Sequence, residues 1–282
     1  MEFLTNKKIV LTFITVLFFE SCSKDEGYFS LNETVDQRVE QSLDWDSKNP
    51  ERELVINSDE YTIFCMADSH VGTTGNLDRF FSIAKESDAA AVIMAGDLCS
   101  GRLSDYDVLE NHMPSGDSLP RFMVAGNHDL HFAGWNEYFS RFGSSTYFFT
   151  VRTPAGSDIF ICLDTSEGTL GKIQFSWLSN VLKNMRQNYR QCIVITHNNF
   201  FRVKQAESTS LLPEEISALA ELFTTNRVEM VITGHDHRKD DRLFGITRYI
   251  VMDPLEDKAD NAGFFVLKIR KGEIKYNFGS FE

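Results

Sequence analysis

The sequence predicts an α/β fold, a layered sandwich in which mixed central β-sheets are flanked by helices. Three observations predict it. From Tyr61 onward, short apolar runs rich in Val, Ile and Phe alternate with longer amphipathic stretches. The chain then closes on consecutive strand-like runs, which makes the sheets mixed rather than purely parallel. Finally, 282 residues with 42% apolar content suffice for one such domain with a sizeable core.

Taken in order, the polar stretch from Gly27 to Ser58 carries one helical pattern, around Glu33 to Leu43. Strands are predicted at Tyr61 to Ala67, Ala89 to Ala95, Arg121 to Ala125, Asp158 to Leu163, Gln191 to Thr196 and Val228 to Thr233. Between them, Leu77 to Lys85, Ile173 to Met185 and Glu214 to Phe223 have helical spacing, the last opened by Pro213 and two glutamates. Arg248 to Met252, Phe264 to Ile269 and Ile274 to Phe278 read as closing strands, the final two joined at Lys271-Gly272 as a hairpin.

The N-terminus has a different character. Lys7 and Lys8 precede an apolar run from Ile9 to Phe19. That run is too short for a membrane span, which takes about 20 residues, and fits a signal peptide over residues 1–21. Cys22 follows Phe19-Glu20-Ser21, so the segment resembles a bacterial lipoprotein precursor, with Glu20 where a small residue is usual. The resemblance implies acylation of Cys22, a tether and N-terminal segment over residues 22–58, and a location on the periplasmic face of the outer membrane or the cell surface. A cleaved signal peptide with an incidental cysteine is the alternative.

The formal charge of −13 argues against a nucleic-acid polymer as partner, because phosphate contacts need Lys and Arg. It leaves room for one phosphate at a metal. Cys65, Cys162 and Cys192 lie inside predicted strands and read as packing, as does Cys99, and no thiolate zinc spacing occurs.

The residues just past the strands carry the chemistry: Asp68-Ser69-His70, Gly96-Asp97, Gly126-Asn127-His128-Asp129, His197, and Gly234-His235-Asp236-His237. In α/β folds ligands gather beyond the carboxyl ends of the strands. Residues i and i+2, as in Asp68/His70 and His235/His237, point the same way if extended geometry persists past the strand end. Glycines before Asp97, Asn127 and His235 permit sharp turns and close approach. Any one motif alone reads as a turn or cap, but five of the seven histidines fall in this set. Oxygen and imidazole donors without thiolate suit zinc, manganese or iron.

D-x-H, GD, GNHD, a lone His and GHxH, in this order, resemble the calcineurin-like metallophosphoesterase superfamily, from about residue 60 to the end; the domain is placed at 59–282. The resemblance implies a dinuclear centre of two divalent or mixed-valence ions (Mn, Fe or Zn). Asp68, His70 and His237 would hold one ion, Asn127, His197 and His235 the other, and Asp97 would bridge them. His128 would contact the phosphate and assist the leaving oxygen, and Asp129 would orient the site. The activity implied is hydrolysis of a small phosphoester, mono or di. Gly96-Asp97-Leu98-Cys99-Ser100 lacks the continuation typical of protein phosphatases, and His70 argues against the purple acid branch. The motifs come nearest to small bacterial members related to class III cyclic-nucleotide phosphodiesterases.

His131, Phe132 and Trp135 after GNHD, and Phe200 and Phe201 after His197, are candidates to face the substrate, with packing as the alternative for each. His112, in a Pro/Gly-containing stretch, reads as a solvated or capped residue. A non-catalytic metal- or surface-ligand-binding lipoprotein on the same fold is the competing functional class.

Overall fold

The computed structural model describes residues 33–49, 52–202 and 209–281. The expected signal peptide and Cys22 lie outside the described residues. Among the described residues, twelve strands form two sheets.

The five-stranded sheet is built from β2 (Glu60–Met66), β3 (Ala91–Ala95), β4 (Arg121–Val124), β11 (Gly263–Arg270) and β12 (Glu273–Ser280) in the order β12-β11-β2-β3-β4. The seven-stranded sheet runs β1-β5-β6-β7-β8-β10-β9. Its strands are β1 (Glu53–Val55), β5 (Tyr147–Thr153), β6 (Gly156–Cys162), β7 (Cys192–Ile195), β8 (Met230–Thr233), β9 (Asp240–Phe244) and β10 (Thr247–Val251). Both sheets are mixed. β2, β3 and β4 are parallel, as are β6, β7 and β8, whereas β11 and β12 form the antiparallel hairpin expected at Lys271-Gly272.

Alternation along the strands decides the layering. Tyr61, Ile63 and Cys65 of β2 point between the sheets, where they meet Phe149, Phe160, Ile193 and Ile232. Phe64 and Met66 point outward onto α2 (Gly75–Glu86), α3 (Leu103–His112) and α4 (Gly134–Phe142). On the far side, Ile159, Val194 and Val231 pack under α5 (Gly171–Met185) and α6 (Pro213–Thr225). The predicted sandwich is therefore helix, sheet, sheet, helix. No described helix is long and apolar enough to cross a membrane.

Two expectations change here. Helix α1 (Val35–Lys48), started by a capping box of Thr34 and Gln37, packs on α5, and β1 pairs with β5. The N-terminal segment ahead of residue 59 thus packs on the folded body through α1 and β1. Polar composition hid this because the helix is anchored by charge: the Arg38 side chain, 1% exposed, pairs with Asp164 at 2.8 Å. His112 closes α3 rather than sitting in a loop, and its Nδ1 is 2.7 Å from Asp78 Oδ1.

Candidate metal centre

The carboxyl ends of β2, β3 and β4 in one sheet and of β7 and β8 in the other open onto the same edge of the sandwich. Asp68 follows β2, Asp97 follows β3, Asn127 follows β4, His197 follows β7 and His235 follows β8. Residues from both sheets thereby face one another across a single site.

Asp97 lies at its middle. Its Oδ2 is 3.2 Å from His197 Nε2 and 3.9 Å from both His70 Nε2 and His128 Nε2. Its Oδ1 accepts the His128 backbone N–H at 2.8 Å. Asp68 Oδ1 is 3.4 Å from His237 Nε2, and the Asp68 carboxylate also accepts the His235 backbone N–H at 2.8 Å. His70 and His237 bring their Nε2 atoms to 3.1 Å, and His197 Nε2 comes equally close to His235 Nδ1. Donor atoms therefore fall into three overlapping groups: Asp68, His70 and His237; His70, Asp97 and His128; and Asp97, His197 and His235.

A cation fits this arrangement. His197 Nδ1 is 2.9 Å from the Ala95 carbonyl oxygen, which can only accept, so that nitrogen carries the proton and a neutral ring turns the Nε2 lone pair toward His235. Asn127 Oδ1 and His235 Nε2 are buried without a hydrogen-bond partner, a cost that coordination removes. The donors are carboxylate, amide oxygen and imidazole, with no thiolate, as in manganese, iron and zinc centres.

The electrostatics agree. Burial disfavours charge on Asp97, but the imidazoles of His197, His128 and His70 outweigh it and hold the carboxyl far below its usual range. Burial likewise opposes a charged His197, yet Asp97 and then Asp68 raise it to about 9. His235, desolvated and beside His197, is lowered to about 3. A hydrogen bond with Asp68 raises His237, whereas burial lowers His70. The carboxylates thus hold protons on His197 and His237 where metal would compete for the same nitrogens.

Convergence is not achieved by extended backbone. Asp68, His70, Asp97, His235 and His237 have φ of 54°, 40°, 52°, 74° and 51°. Left-handed bends, tolerated best by Asp, Asn and His among residues with a Cβ, replace strand alternation just past the strand ends. Backbone bonds hold them: the Asp68 N–H donates to Gly96 O and the His70 N–H to Asp97 O, both at 3.0 Å. Gly96 is itself left-handed at φ 86°, and a Cβ there would lie 2.7 Å from the His197 ring.

Several substrate-facing candidates are placed elsewhere. Trp135, on the buried face of α4, is 2% exposed, and Phe200 is 3% exposed in the core beneath α6. Their apolar rings fill space that the layers would otherwise leave empty. Asp129 is wholly buried; it accepts the Cys99 and Gly126 N–H groups at 2.9 and 2.8 Å and so ties the GD loop to the GNHD loop. Burial and then Asp97 raise it to about 7. His131 is buried, its ring 4.8 Å from that of His128. Phe201 is half-buried against Phe244 and Tyr249, and Phe132 is exposed at the rim.

One supporting segment escaped the sequence. Asp164-Thr165-Ser166 follows β6, a sixth strand end. Thr165 Oγ1 accepts the Asn198 N–H next to His197, and Ser166 Oγ lies 3.0 Å from the Ala125 carbonyl next to Gly126-Asn127. Its place directly after an apolar run was the available signal.

The family model for calcineurin-like phosphoesterases matches residues 61–239, more than half of the chain. The chain belongs to the calcineurin-like phosphoesterase family. Among solved structures, the phosphoesterase is similar to GAP50, the anchor in the inner membrane complex of Plasmodium, with 15% identity over 78% of this chain and 84% of the other, and a TM-score of 0.62. It is similar to a dimetal phosphatase from Danio rerio, with 13% identity over 79% and 99% of the two chains and a TM-score of 0.59. A purple acid phosphatase, PPD1 from yellow lupin seeds, shares 15% identity over 78% of this chain and 52% of its own, with a TM-score of 0.60. At these identities the likeness is one of fold. No curated protein matches the chain. Family and converging donors together make this a metal-dependent phosphoesterase.

Proposed function

We propose that the phosphoesterase hydrolyses a small phosphoester, mono or di, at a dinuclear centre. The observation that carries the proposal is that Asp97 belongs to two donor groups, one with His70 and His128 and the other with His197 and His235, while His70 also groups with Asp68 and His237. Asp68, His70 and His237 would hold one ion and Asn127, His197 and His235 the other, with Asp97 between them. Two divalent ions supply a bound water of lowered pKa and a clamp on the phosphate oxygens.

The chain's own residues do the rest. Asp68 and Asp97 fix the ligand loops through backbone N–H groups, so the site is arranged before substrate arrives. The His128 side chain is 41% exposed and borders Asp97, which suits it to contact the phosphoryl group and hand a proton from its ring to the departing oxygen. Against the competing reading as a non-catalytic binding protein, six of the seven predicted donors fall in overlapping groups and Asn127 keeps a buried oxygen without a hydrogen-bond partner.

The same proposal puts the enzyme outside the cytoplasm, supported by Lys7, Lys8, the apolar run and Cys22. Because the folded body includes α1, ten residues, 23 to 32, separate Cys22 from the described chain.

The purified chain, supplied with Mn²⁺, Zn²⁺ or Fe²⁺, should turn over p-nitrophenyl phosphate or its bis ester and lose that activity to a chelator. His128→Ala should retain metal while losing about 10²- to 10⁴-fold in rate. Absence of metal-dependent turnover on either ester would end the enzymatic reading.

A further inference from the structure

Asp236 stands between two candidate ligands, yet it joins none of the donor groups found among the described residues. His235 before it and His237 after it are left-handed, at φ 74° and 51°, so the loop bends at both ligands. Such bends persist where neighbouring structure holds them.

The hold on Asp236 comes from another loop. Its Oδ2 accepts the Asn199 Nδ2–H at 2.8 Å, and its Oδ1 accepts the Arg202 Nε–H, also at 2.8 Å. The second of these is an ion pair whose arginine side chain is 10% exposed, a charge-assisted bond stronger than a neutral one. Asn199 and Arg202 belong to the loop that starts at His197. That loop is fixed in turn: the Asn198 N–H donates to Thr165 Oγ1 at 3.0 Å, the Phe201 N–H to Asn199 Oδ1 at 3.0 Å, and Arg202 Nη1 to Thr209 Oγ1 at 2.9 Å.

The two loops carry His197 and His235, whose Nε2 and Nδ1 atoms lie 3.1 Å apart. At their base the Gly234 N–H donates to the His197 carbonyl at 3.0 Å. One bond at the base is a pivot; the tie at Asp236, on the far side of His235, removes the rotation about it. His237 has a different support, since its carbonyl accepts the Asn261 Nδ2–H at 2.9 Å and the same nitrogen lies 2.7 Å from Asp253 Oδ1. Loss of the Asp236 carboxylate would therefore loosen His235 against His197 and leave His237 anchored.

We infer that Asp236, through Asn199 and Arg202, is a positioning residue that sets the spacing of His197 and His235, and with it the affinity for the ion that these two would share with Asn127. This rests on the proposed dinuclear reading.

The test counts Mn²⁺ bound to the full chain across a range of free Mn²⁺, by equilibrium dialysis and elemental mass spectrometry, and records electron paramagnetic resonance on the same samples, where a spin-coupled pair differs from an isolated ion. Wild type should hold about two ions as a coupled pair. Asp236→Ala should keep one ion at wild-type affinity, weaken the other about 10- to 100-fold, and show the isolated-ion spectrum between the two binding steps. Asp236→Asn turns an NH₂ group toward a donor, and Asn199→Asp sets two carboxylates face to face, so each alone should weaken the same ion. Combined, Asn199→Asp with Asp236→Asn rebuilds an amide-to-carboxylate bond and should bring that ion back to within about threefold of wild type, a recovery that a misfolded chain would not give. Wild-type affinity for both ions in Asp236→Ala, equal weakening of both, or no recovery in the paired variant overturns the inference. A single ion, or no coupled pair, in wild type overturns the dinuclear reading instead.

Discussion

At the scale of single residues, the centre is a contest between protons and metal for the same lone pairs. His197 is wholly buried, donates through Nδ1 to the Ala95 carbonyl, and turns Nε2 toward Asp97 and His235. Its pKa in the folded, metal-free protein, about 9, lies above the ordinary 6.5. The proton on His197 therefore stabilises the metal-free fold fully below about pH 6.5, and that contribution is lost as pH rises through about 9. Coordination needs the neutral ring, so metal affinity should rise over this same window, by up to about tenfold per pH unit, and level off above it. Chelator competition between pH 6.5 and 9 measures the slope, and His197→Gln should reduce it to the part due to His237, which Asp68 also raises. His235, lowered to about 3, is neutral throughout this range and adds nothing to the slope. A pH-independent affinity in the wild type would show that no proton is displaced from His197.

At the scale of elements, α1 is the part of the fold that composition concealed. Arg38 Nε donates to Asp164 Oδ2 at 2.8 Å and Nη1 donates to the Glu33 carbonyl at 2.9 Å, while Glu167 lies 3.2 Å from Nη1. Asp164 Oδ1 accepts the Ser166 N–H, and Ser166 sits beside Ala125, one residue before Gly126-Asn127. The helix is thus linked through Asp164 to the loop that positions a predicted ligand. Arg38→Met should strand the Asp164 carboxylate in the interior and cost about 3–5 kcal/mol, read by denaturant unfolding, and adding Asp164→Leu should recover much of it. A loss below about 1 kcal/mol would mean that α1 is peripheral. The helical spacing near Glu33 to Leu43 was legible, but the partner of Arg38 lies 126 residues away, so nothing local announced the anchor. The short helices α3 and α4 were missed for a related reason: α3 buries only Tyr106 and Leu109 along its length, and α4 starts from the left-handed Ala133.

At the scale of the whole molecule, legibility followed burial. Strands enclosed on both faces, such as β3 and β7, are continuous apolar runs, and the polar residue that ends each run stands out by contrast. That contrast pointed to five strand ends and the seven candidate donors. β5, with alternating burial, and the exposed edge strand β9 offered weaker patterns. Rotation of the donors inward was not legible, because left-handed bends at Asp68, Asp97 and His235 depend on contacts between segments far apart in the chain. The same limit applied to substrate-facing aromatics: Trp135, Phe200 and Phe132 are alike in sequence context, and only packing separates the buried pair from the exposed ring.

The central claim is that one carboxylate joins two metal sites into a single catalytic unit, and Asp97→Asn tests it most directly. The substitution preserves the shape of a side chain that is 2% exposed and removes the charge that two ions would share. Metal per chain by elemental mass spectrometry and turnover on the preferred ester are measured together. The prediction is a fall from about two ions to fewer than one, with turnover reduced more than about 100-fold, beyond what the loss of an outer-shell partner causes. Wild-type turnover with two ions still bound in Asp97→Asn would contradict the account.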